Sequence, residues 1–179
     1  MSTDWKIYWA LVALTFAIYF VMVLWSLPVV SAAADGLTPF DMRPSGYSFD
    51  EAYAFVVAIT PEGNSFYQST QHRLDIAYPT LLALVLAIAL WKLAKHLPVW
   101  VRSLLIAFPV IGSIADHLEN AAVSNMLQAG ADSLTEELVA TASRWTLIKS
   151  GMTSIAMLAL FGFLLMLLVH KLLKRKSAG

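Results

Sequence analysis

Residues 7–30, IYWALVALTFAIYFVMVLWSLPVV, carry no charged side chain. About 20 apolar residues let a helix cross the hydrocarbon core of a bilayer. Within that core each backbone N–H and C=O must be bonded inside the segment, which leaves only helices or closed barrels. A second run, residues 150–170 (SGMTSIAMLALFGFLLMLLVH), has the same character. The whole chain agrees: 59% of residues are hydrophobic and 13% charged, where soluble domains carry about 25% charged residues. Residues 1–179 therefore read as a single integral membrane domain. No cysteine is present, which excludes disulfides, iron–sulfur clusters and thiol catalysis. Twelve basic and twelve acidic residues cancel, so no nucleic-acid partner is expected.

Two shorter apolar runs lie between the long ones. Residues 76–91, between Asp75 and Lys92, number sixteen, and residues 103–115, between Arg102 and Asp116, number thirteen. Each crosses only by taking flanking polar residues into the membrane; the second could instead be re-entrant. AAVSNML continues the apolar pattern beyond Asn120 and favours a full span. The expected fold is an all-α four-helix transmembrane bundle. Its spans lie near 5–30, 62–96, 99–128 and 142–174, with an outer helical strap over 31–61. Ala32-Ala33-Ala34 resembles a cleavage site, but the first apolar run exceeds the usual signal-peptide core of about 7–15 residues. An uncleaved anchor is expected.

Basic residues mark the cytoplasmic side. Lys6, Lys92, Lys95, Arg102, Lys171, Lys174, Arg175 and Lys176 fall on one side of a four-span chain. Asp35, Asp41, Asp50, Glu51, Glu62, Asp132, Glu136 and Glu137 fall on the other. Both termini are thus expected in the cytoplasm, in a bacterial inner membrane, with membrane lipids as partners and the basic tail near anionic headgroups. Trp5, Trp9, Trp91, Trp100 and Trp145 fall near span ends, as interfacial belts do.

The strap carries its own signals. Ser48-Phe49-Asp50-Glu51 is a capping box ahead of a short amphipathic helix. Thr60-Pro61-Glu62 starts another, with Pro at the first helical position, which should run into the second span and kink at Pro79. TPFDMRPSGY, rich in turn formers, is expected to lie irregularly on the outer surface.

At 100° per residue, the polar residues of each span form stripes. On the third, Gly112, Ser113, Asp116, Glu119 and Asn120 share one face, His117 borders it, and Ile111, Ile114 and Leu118 face away. On the second, Gln68, Gln71, His72, Asp75, Tyr78 and Pro79 align. On the fourth, Trp145, Thr146, Lys149, Met152 and Thr153 align; on the first, Tyr8, Thr15, Tyr19, Met22 and Ser26 do. The carboxylates and Lys149 all fall in the outer half of the bilayer, so the three faces meet at one level.

Buried charge costs at least about 2.5–3.5 kcal/mol on insertion scales, and intramembrane acids usually carry function. Acids outnumber bases in this layer. Asp75, Asp116 and Glu119 are the candidate acid–base residues. His72, Tyr78, Asn120, Trp145 and Lys149 are the candidates for holding a lipophilic small molecule, and His72 would partly neutralise one acid. The competing reading is a polar network that only fixes helix register. His72-x-x-Asp75 and Asp116-His117-x-Glu119 also offer metal ligands, and outer His72/His117 with inner His96/His170 sketch two haem sites. Neither spacing is diagnostic, and neither metal nor haem is required.

The segments FDMRPSGYSFDEA, PEGNSFYQSTQHRLDIAYP, DHLENAAVSNML and ASRWTLIKSGM resemble a family of small bacterial four-span membrane proteins whose function is uncharacterised. Its signals map here to Gly46 and Tyr47, Asp75 with Tyr78 and Pro79, Asp116 with Glu119 and Asn120, and Thr146 with Lys149. The resemblance implies the fold and the site, and no activity. In outline only, the pattern is similar to emopamil-binding-protein-like membrane isomerases, which hold acids in a small bundle. Two functions are carried forward. One is a pocket binding or transforming a lipophilic molecule by acid–base chemistry. The other is an accessory subunit of a membrane complex, with other membrane subunits as partners. A transporter is less favoured, since no internal repeat is evident.

Overall fold

A computed structural model describes residues 3–176. The side chains of Arg175 and Lys176, two of the basic residues used above for orientation, lie outside its described part. Among the described residues the protein is all-helical, as expected. Four helices are long and apolar enough to cross a membrane: α1 (Thr3–Ala32), α3 (Pro61–Leu93), α4 (Val99–Ser133) and α5 (Glu136–Lys176). Between α1 and α3 lies the short α2 (Phe49–Ala58).

The local signals explain the boundaries. The Ser48 hydroxyl accepts from the Glu51 amide at 3.3 Å, and the Glu51 carboxylate accepts from the Ser48 amide at 2.7 Å. The expected capping box is thus closed at the start of α2, and the bonds that the Glu51 carboxylate accepts from the Ser48 amide and hydroxyl hold it below its ordinary pKa. The Thr60 hydroxyl accepts from the Gly63 amide at 3.1 Å, with Pro61 at the first position of α3. That helix continues through a π-turn at Tyr67–Gln71 into the span, so the strap does run straight into it. A second π-turn, Met22–Ser26, interrupts α1, and a hydrogen bond of 2.6 Å from the Ser26 hydroxyl to the Gln71 amide oxygen joins the two.

Three boundaries differ from expectation. The second span stops at Leu93 rather than 96, because Ala94 leaves helical geometry and Pro98 restricts Leu97. The third runs to Ser133 rather than 128, with Gly130 at φ 66° breaking its last turn. The fourth starts at Glu136 rather than 142. Both extensions have one cause. Residues 122–127 and 134–142 bury apolar side chains against the strap, so these helices are held together by a core beyond the polar layer.

That core corrects the expectation for TPFDMRPSGY. The segment forms a 3₁₀ turn at Phe40–Met42 and is anchored inward. Phe40 is fully buried, with ring centroids 4.8 Å from those of both Tyr47 and Phe55. The Phe40 amide donates to the Tyr67 hydroxyl at 3.1 Å. Gly46 (φ +76°) turns the chain so that the Tyr47 amide meets the Ser143 hydroxyl at 3.0 Å, where a Cβ on Gly46 would lie 2.6 Å from that oxygen.

α4 packs along α3 on one side and α5 on the other, and α1 packs on α3. The stripe of small residues works as expected: a Cβ on Gly112 would stand 2.8 Å from the Thr153 hydroxyl, so only glycine lets α4 and α5 approach this closely. A smaller apolar cluster of Leu86, Leu90 and Ala156, with Leu105 and Phe163 against it, closes the far end. The polar layer lies between the two apolar cores.

Candidate functional site

Three helices and the strap deliver side chains to that layer. Lys149 of α5 lies between two carboxylates of α4, 3.3 Å from Asp116 Oδ1 and in direct ion-pair contact with Glu119. Glu119 also accepts from the Thr146 hydroxyl and is fully buried. The Glu119 carboxylate thus has a cation and a donor in place, which is how a buried charge becomes tolerable. Asp75 of α3 is only 4% exposed; among the described residues no donor reaches its Oδ2, and its carboxyl stands within hydrogen-bond reach of that of Asp41. The Asn120 amide donates at 3.3 Å to the Asp75 backbone carbonyl. That bond ties α4 to α3 at the level of the cluster.

A cavity of about 410 Å³ opens beside this cluster. Asp41, Asp75, Asp116 and Lys149 form its polar end. Tyr19, Met22, Val23 and Leu27 of α1, Leu82, Ala83 and Leu86 of α3, and Pro109 of α4 form its apolar wall. Tyr78 also lines it, its ring 5.6 Å from that of Tyr19.

The site residues expected from sequence divide into groups. Asp75, Asp116, Tyr78 and Lys149 line the cavity together. Glu119 stands behind Lys149, and Asn120 supports Asp75 from the protein side. Trp145 packs instead against the outer apolar core. His72 is also absent from the cavity lining. It sits half-buried near His117, and His117 Nε2 pairs with the Thr80 hydroxyl at 3.0 Å. Among the described residues His72 forms no ion pair with the clustered acids. Of the two metal-like spacings, Asp75 and Asp116 line the cavity while His72 and His117 do not. Among the described residues no group of three His, Asp or Glu side chains stands close enough to hold a metal ion. Of the inner pair, His96 stands against the Phe163 ring and His170 is exposed.

Sequence reasoning missed Asp41 as a member of the site. It lies on the strap among acids that read as a solvated outer face. Its carboxylate accepts from the Gln71 amide at 3.2 Å, and burial, then the nearby Asp75 carboxylate, push its pKa up to about 7. Tyr47 of the strap is likewise pushed up by burial and then by Glu119. The raised Asp41 value has a definite sign in stability. The proton is bound more tightly in the folded state, so the stabilisation from this group is complete below about pH 4 and is lost as pH rises through about 7. The expected result is that Asp41→Asn flattens the fall in melting temperature between pH 5 and pH 8. An unchanged slope would place Asp41 outside the buried layer.

No family model matches the chain, and neither does any curated protein or solved structure. The fold and the site define a multi-pass helical membrane protein whose polar layer flanks a cavity.

Proposed function

We propose that this protein binds or transforms a lipophilic molecule in the cavity beneath the strap, with Asp75 and Asp116 exchanging protons and Lys149 fixing the charge around them. The observation that carries this reading is the join of an apolar-walled volume to an acid-rich end, the usual arrangement of a ligand site. Intramembrane ionisable groups cluster where they serve function. Asp75, Asp116 and Lys149 line the space while Glu119 does not, so Glu119 acts by positioning Lys149. On this reading the strap faces the outside of a bacterial inner membrane, both termini are cytoplasmic, and the chain sits with the bacterial four-span family it resembles.

The test is to purify the full chain in mild detergent, identify co-purifying lipophilic molecules by native mass spectrometry, and compare Asp116→Asn with wild type. A bound molecule that the variant loses by about tenfold in occupancy supports the proposal. Occupancy unchanged by both Asp116→Asn and Asp75→Asn would defeat it.

A second reading, an accessory subunit whose polar layer locks the bundle, is favoured by one observation. Glu119 is ion-paired with Lys149 and accepts from Thr146 on the protein side of the cavity. Loss of stability with no ligand ever captured would favour it.

A further inference from the structure

We propose that the cavity takes a cationic amphiphile, a protonated amine whose head sits against the Asp75–Asp41 pair and whose apolar tail runs along α1 and α3 toward Leu86. This rests on the pocket reading above and adds the charge and shape of its occupant.

The first argument is charge. Among the described residues Lys149 is the only basic one in the cavity wall, and it is already committed to Asp116 and Glu119. Among the described residues Asp41 and Asp75 form no ion pair. Asp41 accepts from the Gln71 amide, and the Tyr67 hydroxyl and the Asp75 carboxyl stand within its hydrogen-bond reach, none of them a cation. Asp75 is nine-tenths buried, faces the cavity, and among the described residues finds no donor for Oδ2. An unmet buried carboxylate oxygen costs more than an ordinary unmade hydrogen bond. An N–H on a cation meets both the geometry and the charge, whereas an anionic head would add to the repulsion.

The second argument is the wall beside that oxygen. The rings of Tyr19 and Tyr78 pair at 5.6 Å on the cavity lining. Aromatic faces attract ammonium groups, most strongly where water is excluded. The third argument is depth. Eleven residues separate Asp75 from Leu86 along α3, about 16 Å at 1.5 Å per residue, a length suited to a hydrocarbon tail. Exposed Trp5 and Trp25 on α1 stand twenty residues apart, about 30 Å and so about one bilayer core. Met22, on the cavity wall, lies just inside the Trp25 end. The polar end of the cavity is therefore near an interface, where the head of an amphiphile resides.

The experiment compares dodecylamine, dodecanol and dodecanoate, which share a tail and differ in head. Each is titrated at pH 7 into the full chain in phosphatidylcholine nanodiscs, with empty nanodiscs as reference, and binding is read by calorimetry and thermal shift. The amine is expected to bind at least about tenfold tighter than the other two, and Asp75→Asn is expected to abolish that preference. The head-group series on the unaltered chain decides the matter even where the variant folds poorly. Equal binding of alcohol and amine, both blocked by the cavity-filling Ala83→Phe, would overturn the cationic class and leave the pocket reading standing. Tighter dodecanoate binding would do the same. Binding of none of the three would bring down both.

Discussion

Replacing Lys149 with methionine is expected to cost the fold about 3–5 kcal/mol, the penalty for leaving buried charge without its partner. The side chain keeps most of its volume, so the loss is electrostatic rather than a cavity effect. Lys149 joins two carboxylates on neighbouring turns of α4, and its removal strands both Asp116 and Glu119. Glu119 has no solvent to turn to, being fully buried. The companion measurement is Lys149→Met with Glu119→Gln. Neutralising the stranded acid should return part of the loss, with a coupling of about 0.5–3 kcal/mol. Unfolding in detergent, followed by helical circular dichroism, reads both variants. A melting temperature unmoved by Lys149→Met would show that the ammonium does not hold α5 to α4.

Phe40→Ala is the second large effect, at about 3–5 kcal/mol for emptying a fully buried phenylalanine site. Its consequence is more local. Phe40 is the knot of an aromatic cluster with Tyr47 and Phe55, and its amide is tied to Tyr67. Loosening it frees the neighbouring Asp41 from the polar end of the cavity. The expected signature is faster amide exchange over residues 38–58, with the amides of α3 and α4 near the far end of the bundle still protected. Uniform loss of protection would mean that the strap and the spans fold as one unit.

How much of this was legible beforehand follows from range. The four spans, the capping box at Ser48 and the start at Thr60-Pro61 depend on residues within one or two turns of each other, and local composition carries them. The stripe holding Asp116, Glu119 and Asn120 depends only on the helical period, and Gly112 on that stripe meets Thr153 as the small-residue face requires. Helical direction alone places His72 and Trp145 on inward faces. Their surroundings depend on the roll of each helix against its neighbours, and that roll sets His72 beside His117 and Trp145 beside the outer core.

The sequence by itself determined a membrane-spanning helical bundle and the level at which its carboxylates collect. A charge-free apolar run can satisfy its backbone in lipid only as a helix, and polar groups on such helices turn toward one another. The tertiary structure alone decided which groups share the cavity. Asp41 reaches Gln71 across thirty residues because Phe40, beside it, is buried among side chains from α2 and α3. No period or local signal encodes that approach, since it is fixed by how a folded strap packs on the ends of three helices.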